Sequence, residues 1–340
     1  MNRTISILVC VAVAAVWATP AAGDPLPGQI LKFQQDPMNG TPISQSGITQ
    51  KYWGHDELST AWLRYVTDLD GSVRPFAYKG AFMADDFADR FDQPVVHVRW
   101  WGSYINNEII QPVNKFLIAF ESDVPAVPGA VSFSRPGQVL LSQVVRKGPL
   151  APGSGTYTEN RITVATPGGA TEDLYEYNAE LRLPFPERPH EVYWLKVVAL
   201  VDVEPGVEPE TAPVTQWGWH SRDWTKQDLL ASTPADGVVP GEHIEGHLNG
   251  DNTLPVWHFQ DDSVQGDIVI SLPIDSANTA INQLEDTFVP QNYVDILDGP
   301  DGISQFSKDL AFELYTIPEP ATMTLLALGG ATALLRRRRR

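Results

Sequence analysis

The sequence predicts an all-β fold, an antiparallel β-sandwich of jelly-roll-like type. Apolar residues alternate in short runs of strand length; in the first clear run Val96, Val98 and Trp100 share one face. Proline and glycine are dense between these runs, where they end helices and punctuate strands. Helical and strand patterns do not alternate as they do in a parallel sheet, so we expect antiparallel pairing.

Strand patterns begin near residue 76 and continue to residue 316, and we expect this range to form the sandwich domain. Residues 24–75 read as a mixed N-terminal extension, in which 57–65 favours a short helix. Tyr193–Val201 is apolar on both faces, which is typical of a central strand covered on both sides. The predicted strands are 95–100, 116–121, 139–145, 161–165, 193–201, 268–272 and 309–315.

The first 23 residues predict a secretory signal peptide. Arg3 supplies a basic start, 5–17 is an uncharged apolar run, and Ala21-Ala22-Gly23 fits the small-residue rule for cleavage. The alternative is a buried or membrane helix, but the run is shorter than the ~20 residues needed to span a bilayer. We therefore expect export through the Sec machinery and a mature chain that starts near Asp24.

Cysteine content and charge narrow the class of protein. Cys10 is the only cysteine and lies inside the predicted signal peptide, so the mature chain would have no disulfide and no thiolate chemistry. The chain carries 24 basic and 42 acidic residues, for a net charge of −18. Such a surface repels nucleic acid and anionic lipid. The composition favours an acidic extracellular protein and argues against nucleic acid as a partner.

Three features follow one another at the C-terminus, in residues 317–340. Pro318, Glu319 and Pro320 precede an uncharged apolar stretch, 321–335, and five arginines end the chain. The apolar stretch is short for a stable anchor, and the arginines would stay on the cytoplasmic side, so this end predicts a transient stop-transfer tail. The arginines are Arg336, Arg337, Arg338, Arg339 and Arg340.

This order of Pro-Glu-Pro, short hydrophobic helix and arginine cluster resembles the sorting signal of PEP-CTERM proteins. The resemblance implies that an exosortase, a membrane cysteine protease, recognises the tail and removes it. It also implies an exported chain that reaches the cell surface or the extracellular space after transient anchoring in the inner membrane. A plain C-terminal membrane anchor is the alternative.

The body of the chain resembles a module that recurs in PEP-CTERM and related surface proteins. The resemblance rests on Ala84-Asp85-Asp86-Phe87, the aromatic segment 98–104, the run 116–120, Trp217-Gly218-Trp219 and the closing segment 309–314. It implies a jelly-roll-like sandwich and carries no assigned activity.

Two aromatic clusters could stack on sugar rings, through Trp101 and Tyr104 in one and Trp217 and Trp219 in the other. Adjacent strand residues point to opposite faces, so Trp100 and Trp101 cannot both lie in a core on one side of a sheet. One member of each pair could therefore face a ligand, as in a carbohydrate-binding module for exopolysaccharide. The alternative is that a loop covers the second face and all of these rings pack in the interior.

Two sets of residues could bind a metal ion. Asp85 and Asp86 could supply oxygen ligands to a structural calcium ion, although they lack the full spacing of a calcium loop. His243 and His247 have the i, i+4 spacing of a zinc pair, but Glu245 lies midway between them and not beside a histidine, as it would in a metalloprotease. Solvated turn aspartates and an exposed polar loop are the alternatives. No other cofactor is expected.

Sequence motifs of enzymes are not found: there is no Gly-x-Ser-x-Gly, no phosphate-binding loop and no Gly-x-Gly-x-x-Gly. Ser221 and Asp223 lie close to His220, but a catalytic triad assembles across a fold, so adjacency in sequence is uninformative. The leading hypothesis is a non-catalytic surface or extracellular-matrix protein whose partners are exopolysaccharide or other surface proteins. A carbohydrate-binding module and a metal-dependent hydrolase are the alternatives.

Overall fold

Alternating runs become β-strands along most of the chain. The structure, a computed structural model, describes residues 25–45, 48–125, 134–223, 226, 228–232, 263–274, 277–283 and 309–318, together with the strand segments 244–245, 256–257 and 289–290. Within these residues there are nineteen strands and a single 3-10 turn at Ile105–Asn107, which confirms the predicted all-β fold.

The strands are numbered in chain order. The first ten are β1 (Ile30–Gln35), β2 (Thr41–Gln45), β3 (Ile48–Tyr52), β4 (Asp56–Leu58), β5 (Thr60–Thr67), β6 (Val73–Phe87), β7 (Val95–Tyr104), β8 (Lys115–Val124), β9 (Arg135–Lys147) and β10 (Thr156–Thr163). The remaining nine are β11 (Leu174–Phe185), β12 (Tyr193–Val201), β13 (Trp217–His220), β14 (Ile244–Glu245), β15 (Val256–Trp257), β16 (Val264–Ser271), β17 (Ile281–Gln283), β18 (Val289–Pro290) and β19 (Phe312–Thr316).

Most strands join one continuous sheet in the order β1-β19-β7-β11-β10-β9-β8-β12-β5-β6-β16-β17, while β2–β3 and β14–β15 pair separately. The pairing is antiparallel except at β9–β10 and β5–β12, which are parallel. β12 also pairs with β6, and β13 joins β4 to β7. The expected antiparallel architecture therefore holds with two parallel exceptions.

This sheet folds back on itself into two layers. β7 and β8 are separated by three strands in the sheet, about 19 Å at the usual strand spacing. Nevertheless, the rings of Trp100 on β7 and Phe116 on β8 lie 5.2 Å apart. Phe33 on β1 and Phe87 on β6, still further apart along the sheet, have ring centroids separated by 5.8 Å. The central core therefore lies between two packed layers of one sheet, which is a sandwich.

β12 is the central strand, as its sequence predicts. All nine of its residues are buried. Tyr193, Leu195 and Val197 face the central core between the layers, whereas Trp194 and Val198 belong to a second apolar cluster on the opposite face. Burial on both sides explains why the strand reads as a continuous apolar run.

The helix predicted at residues 57–65 is wrong, because this segment forms β4 and β5. β4 pairs with β13, and β5 pairs with both β6 and β12. Trp62 lies in the central core and its indole Nε1 donates a hydrogen bond of 2.9 Å to the carbonyl of Thr215. Backbone pairing on both sides outweighs the local helical pattern.

The segment expected to be an N-terminal extension supplies strands to the main sheet. β1 pairs with β19, and β5 lies between β12 and β6. The sheet therefore includes residues that precede residue 76. Among the described residues, no helix is long and apolar enough to cross a membrane.

Candidate functional site

The four aromatic residues predicted to stack on sugars are buried: Trp101, Tyr104, Trp217 and Trp219. The indole Nε1 of Trp217 donates to the hydroxyl of Tyr177 at 3.0 Å, and that of Trp219 donates to the carbonyl of Ala311 at 2.9 Å. The indole N–H groups of both tryptophans are thus hydrogen-bonded within the protein.

The two aromatics of the Trp100–Trp101 pair do point to opposite faces, and both faces are covered. Trp100 lies in the central core, and Trp101 lies in a small cluster with Leu174 and Ala311. Tyr104 returns to the central core, where its hydroxyl donates to Glu159 at 2.8 Å. The structure therefore places these rings in packing positions, and none of them presents a face to a ligand.

The predicted calcium pair, Asp85 and Asp86, lies near the end of β6 and is also buried. One carboxylate oxygen of Asp85 accepts a hydrogen bond of 2.7 Å from the backbone N–H of Leu310, which ties β6 to the start of the last strand segment. In the part of the chain that the structure describes, no group of three or more acidic or histidine side chains is arranged to hold a metal ion. A structural calcium ion stays a prediction.

Close to this pair, Arg222 and Asp309 form a buried ion pair, with a distance of 3.1 Å between Nε and Oδ2. Burial raises the pKa of Asp309 to about 7; Arg222 opposes the shift and the carboxylate of Asp86 adds to it. The acidic residues at the end of β6 therefore share an interior environment with Arg222.

Several predicted site residues lie outside the described part of the chain. They are the zinc pair, the signal peptide 1–23 and most of the C-terminal signal: His243, His247, Glu319, Pro320, Arg336, Arg337, Arg338, Arg339 and Arg340. Pro318 is the last residue that the structure describes.

A buried acid–base cluster joins strands that are distant in sequence. His220 on β13 contacts Asp56 on β4 at 2.9 Å through Nδ1, and its Nε2 lies 2.8 Å from the carbonyl of Met38. A carbonyl only accepts, so Nε2 carries a proton. Burial by itself would lower the pKa of His220, but the carboxylate of Asp56 outweighs it and the pKa lies above 6.5. The carboxylate of Asp56 therefore favours the protonated form of His220.

Glu172 completes this Asp56–Glu172–His220 cluster. Its carboxyl group is hydrogen-bonded to Asp56 and accepts a bond of 2.7 Å from the backbone N–H of Asn106. Burial raises the pKa of Glu172 to about 7, and the nearby charge of Asp56 contributes in the same direction. The pKa of Asp56 itself is lowered, because His220 outweighs the effect of burial. The two carboxyl groups are thus shifted in opposite directions, Glu172 toward its protonated form and Asp56 toward its ionised form.

The Asp56–Glu172–His220 cluster contains acid–base groups, but its geometry favours a structural role. The adjoining cavity is about 20 Å³, enough for one water molecule and too small for an organic substrate. Both ring nitrogens of His220 are engaged within the protein. Sequence reasoning missed this cluster because Asp56 and Glu172 are far from His220 in the chain, and no spacing rule connects them.

A groove with a volume of about 660 Å³ lies between β5, β6 and the turn that follows β12. We call it the β5–β6 groove. This volume falls in the usual range for small-molecule sites. Its apolar lining is formed by Leu63, Tyr65, Val73, Phe76 and Val207. The groove could not be predicted from the sequence, because no motif links these strands to the turn.

Charged side chains form the rim of the β5–β6 groove. Arg64 is bonded by both terminal nitrogens to Glu210, and its Nη1 lies 3.5 Å from a carboxylate oxygen of Glu208. The ammonium group of Lys79 lies 5.3 Å from the ring centroid of Phe76, within the range of a cation–π interaction. The rim therefore carries two positive and two negative groups.

Comparison with known protein families gives two matches. Residues 31–239 match the family described as "Domain of unknown function (DUF7901)", and residues 316–340 match the PEP-CTERM protein-sorting motif. The second match confirms the predicted sorting signal, so the chain is exported and sorted by an exosortase to the cell surface or the extracellular space. Comparisons with curated proteins and with solved structures gave no match.

Proposed function

Because the chain belongs to the DUF7901 family and ends in an exosortase sorting motif, we propose that it is a non-catalytic structural protein of the cell surface or extracellular matrix. The observation that carries the proposal is that the side chains best suited to catalysis or ligand binding are bonded to, or packed against, other residues of the protein. Both ring nitrogens of His220 are bonded, and its carboxylate partner Asp56 is shared with Glu172. The aromatic residues most suited to ligand stacking are core residues.

The end of the folded domain is compatible with removal of the tail. β19 ends at Thr316, where the sorting motif begins. Cleavage after this point would leave every pairing of β19 with β1 and β7 in place. In this proposal the signal peptide directs export, the apolar tail holds the chain briefly in the inner membrane, and the exosortase releases the folded domain.

The sorting step is tested by replacing Pro318, Glu319 and Pro320 with alanine in the full chain, expressed in cells with and without an exosortase. The wild-type chain should lose its tail and become accessible to added protease only in cells that contain the exosortase. The triple variant should keep its full length and stay with the inner membrane in both. Ile317→Val, at the residue immediately before Pro318, is the matched control and should behave as wild type.

The non-catalytic role is tested by complementing a deletion strain with wild-type protein or with Glu172→Gln, and measuring the mass of surface matrix. A structural role predicts that matrix mass follows the amount of folded protein at the surface for both chains. An acid–base enzyme would lose its effect in the variant at equal surface amounts. That second result would overturn the proposal.

A further inference from the structure

A β-bulge shapes the β5–β6 groove. In the register between the two strands Arg64 lies opposite Ala77 and Tyr65 lies opposite Pro75, so Phe76 is an extra residue on β6. The carbonyl of Phe76 accepts a hydrogen bond of 3.1 Å from the backbone N–H of Leu272, which fixes the bulge. Bulges redirect side chains and recur beside binding sites. Here the bulge places the Phe76 ring in the lining of the groove.

Tyr65 supplies a second aromatic ring in a fixed orientation. Its hydroxyl donates a hydrogen bond of 2.9 Å to the carbonyl of Val203, at the beginning of the turn that forms the opposite wall. Tyr65 and Phe76 are both partly exposed, unlike the buried aromatic residues of β7 and β13. Two fixed and partly exposed rings offer an apolar surface at low cost in side-chain entropy.

The balance of charge at the rim selects a neutral ligand. Arg64 and Lys79 balance Glu208 and Glu210, so the rim carries no net charge that would attract an ion of either sign. The two glutamate side chains are also more exposed than Arg64, at 73% and 65% compared with 17%. Together with the net charge of −18, this disfavours an anionic ligand further.

We propose that the β5–β6 groove binds a neutral saccharide chain, with an apolar ring face stacked on Phe76 and Tyr65. Sugar hydroxyls both donate and accept, so they can donate to Glu208 and Glu210 and accept from Lys79. The aromatic floor, the volume of about 660 Å³ and the balanced rim together fit this class of ligand. The biological role of this saccharide binding rests on the proposed function at the cell surface. The binding itself can be tested independently of that function.

The test is calorimetric titration of the full-length chain, held in a detergent without a sugar headgroup. The neutral probes are cellohexaose, maltohexaose and xylohexaose, and the anionic probe is tetragalacturonic acid. We expect saturable binding of at least one neutral probe, weakened at least tenfold in Phe76→Ala. Because this measurement needs no export, failure here is separate from failure of the proposed surface role.

Two further variants make the result decisive. Phe91→Ala removes a partly exposed ring beyond the opposite end of β6, outside the lining of the groove, and should bind as wild type. Glu210→Gln leaves an excess positive charge at the rim and should improve binding of tetragalacturonic acid while weakening the neutral probe. No heat with any neutral probe, equal binding by Phe76→Ala, or a preference of the wild type for the anionic probe would each overturn the proposal.

Discussion

At the scale of single residues, the interior holds carboxyl groups that keep their protons more tightly than usual. Burial raises the pKa of Asp89 to about 7, of Asp228 to about 6 and of Asp309 to about 7, in addition to Glu172. The folded state therefore binds more protons than the unfolded state between about pH 4 and pH 7. The stability associated with these groups is fully present below about pH 4 and is lost progressively as the pH rises from about 4 to 7.

The first prediction concerns Glu172→Gln, which keeps the shape of the protonated carboxyl group and cannot ionise. The variant should melt close to wild type at pH 4, where Glu172 is largely protonated in both the folded and the unfolded state. At pH 8 it should melt higher, by about 2–4 °C, because wild-type Glu172 must then ionise beside Asp56. This modest shift allows for screening, since Glu172 is only half-buried.

Scanning calorimetry between pH 4 and pH 8 checks this expectation. Glu108→Gln, at an exposed position just after the 3-10 turn, is the matched control and should follow the wild-type curve. Equal melting temperatures of Glu172→Gln and wild type at pH 8 would show that the fold does not raise the pKa of Glu172.

At the scale of strands, the approach of β13 to β7 depends on a residue without a side chain. A Cβ atom added at Gly102 would lie 2.2 Å from a ring carbon of Trp217 and 2.4 Å from the carbonyl oxygen of Gly218. Trp217 is fully buried and bonded to Tyr177, so its ring cannot move aside easily. Register and packing between these strands thus require glycine at position 102.

The second prediction is that Gly102→Ala destabilises the protein by about 2–4 kcal/mol, because overpacking forces β7 and β13 apart. Urea denaturation followed by tryptophan fluorescence measures the loss. Gly148→Ala serves as control, since its added Cβ atom would meet only ordinary contact at 3.4 Å from Thr156. If the two alanine variants unfold at the same urea concentration, the close packing of β13 against β7 at Gly102 does not contribute to stability.

Strand prediction failed where pairing, and not local pattern, decided the structure. Residues 57–65 read as a helix, but β5 receives partners on both sides from β6 and β12, which are distant in sequence. In contrast, the continuous apolar run of β12 was a reliable signal of its central place. Local sequence therefore predicts a strand well when all of its residues are buried, as in β12. It predicts a strand poorly when part of the strand is polar and partly exposed, as in β5.

At the scale of the whole molecule, the sheet joins the two ends of the folded chain. β19 lies between β1 and β7, and its Phe312 stacks on Phe33 of β1 with ring centroids 5.1 Å apart. Phe312 and Leu314 are both fully buried in the central core. The last strand before the sorting motif is therefore an integral part of the sandwich.

The third prediction compares two truncations, one that ends after Ile317 and one that ends after residue 308. The longer chain retains β19 and should melt cooperatively at the temperature of the full-length protein. The shorter chain loses the strand that pairs with both β1 and β7, and should show no cooperative transition. Circular dichroism during heating distinguishes the two.

A point variant supports the same test without removing residues. Phe312→Ala in the full-length chain should cost about 3–5 kcal/mol, the usual range for a buried phenylalanine in a core. A folded 308-residue chain together with a small effect of Phe312→Ala would mean that β19 is dispensable.

The sequence by itself determined the all-β class, the central strand β12 and the sorting motif at the C-terminus. These features depend on local patterns: alternation of side chains, turn residues, and a short tail that is read linearly by a protease. Charge and composition, which also depend only on the chain, argued against nucleic acid as a partner.

Only the tertiary structure decided the candidate sites. It buried Trp101 and Trp219, which look like ligand contacts in the sequence, because both faces of their strands are covered. It joined Asp56 and Glu172 to His220, and placed Tyr65 and Phe76 in one groove, through pairings between distant strands and a bulge. Sites of this kind arise from long-range packing, and packing is the one property that a linear pattern does not record.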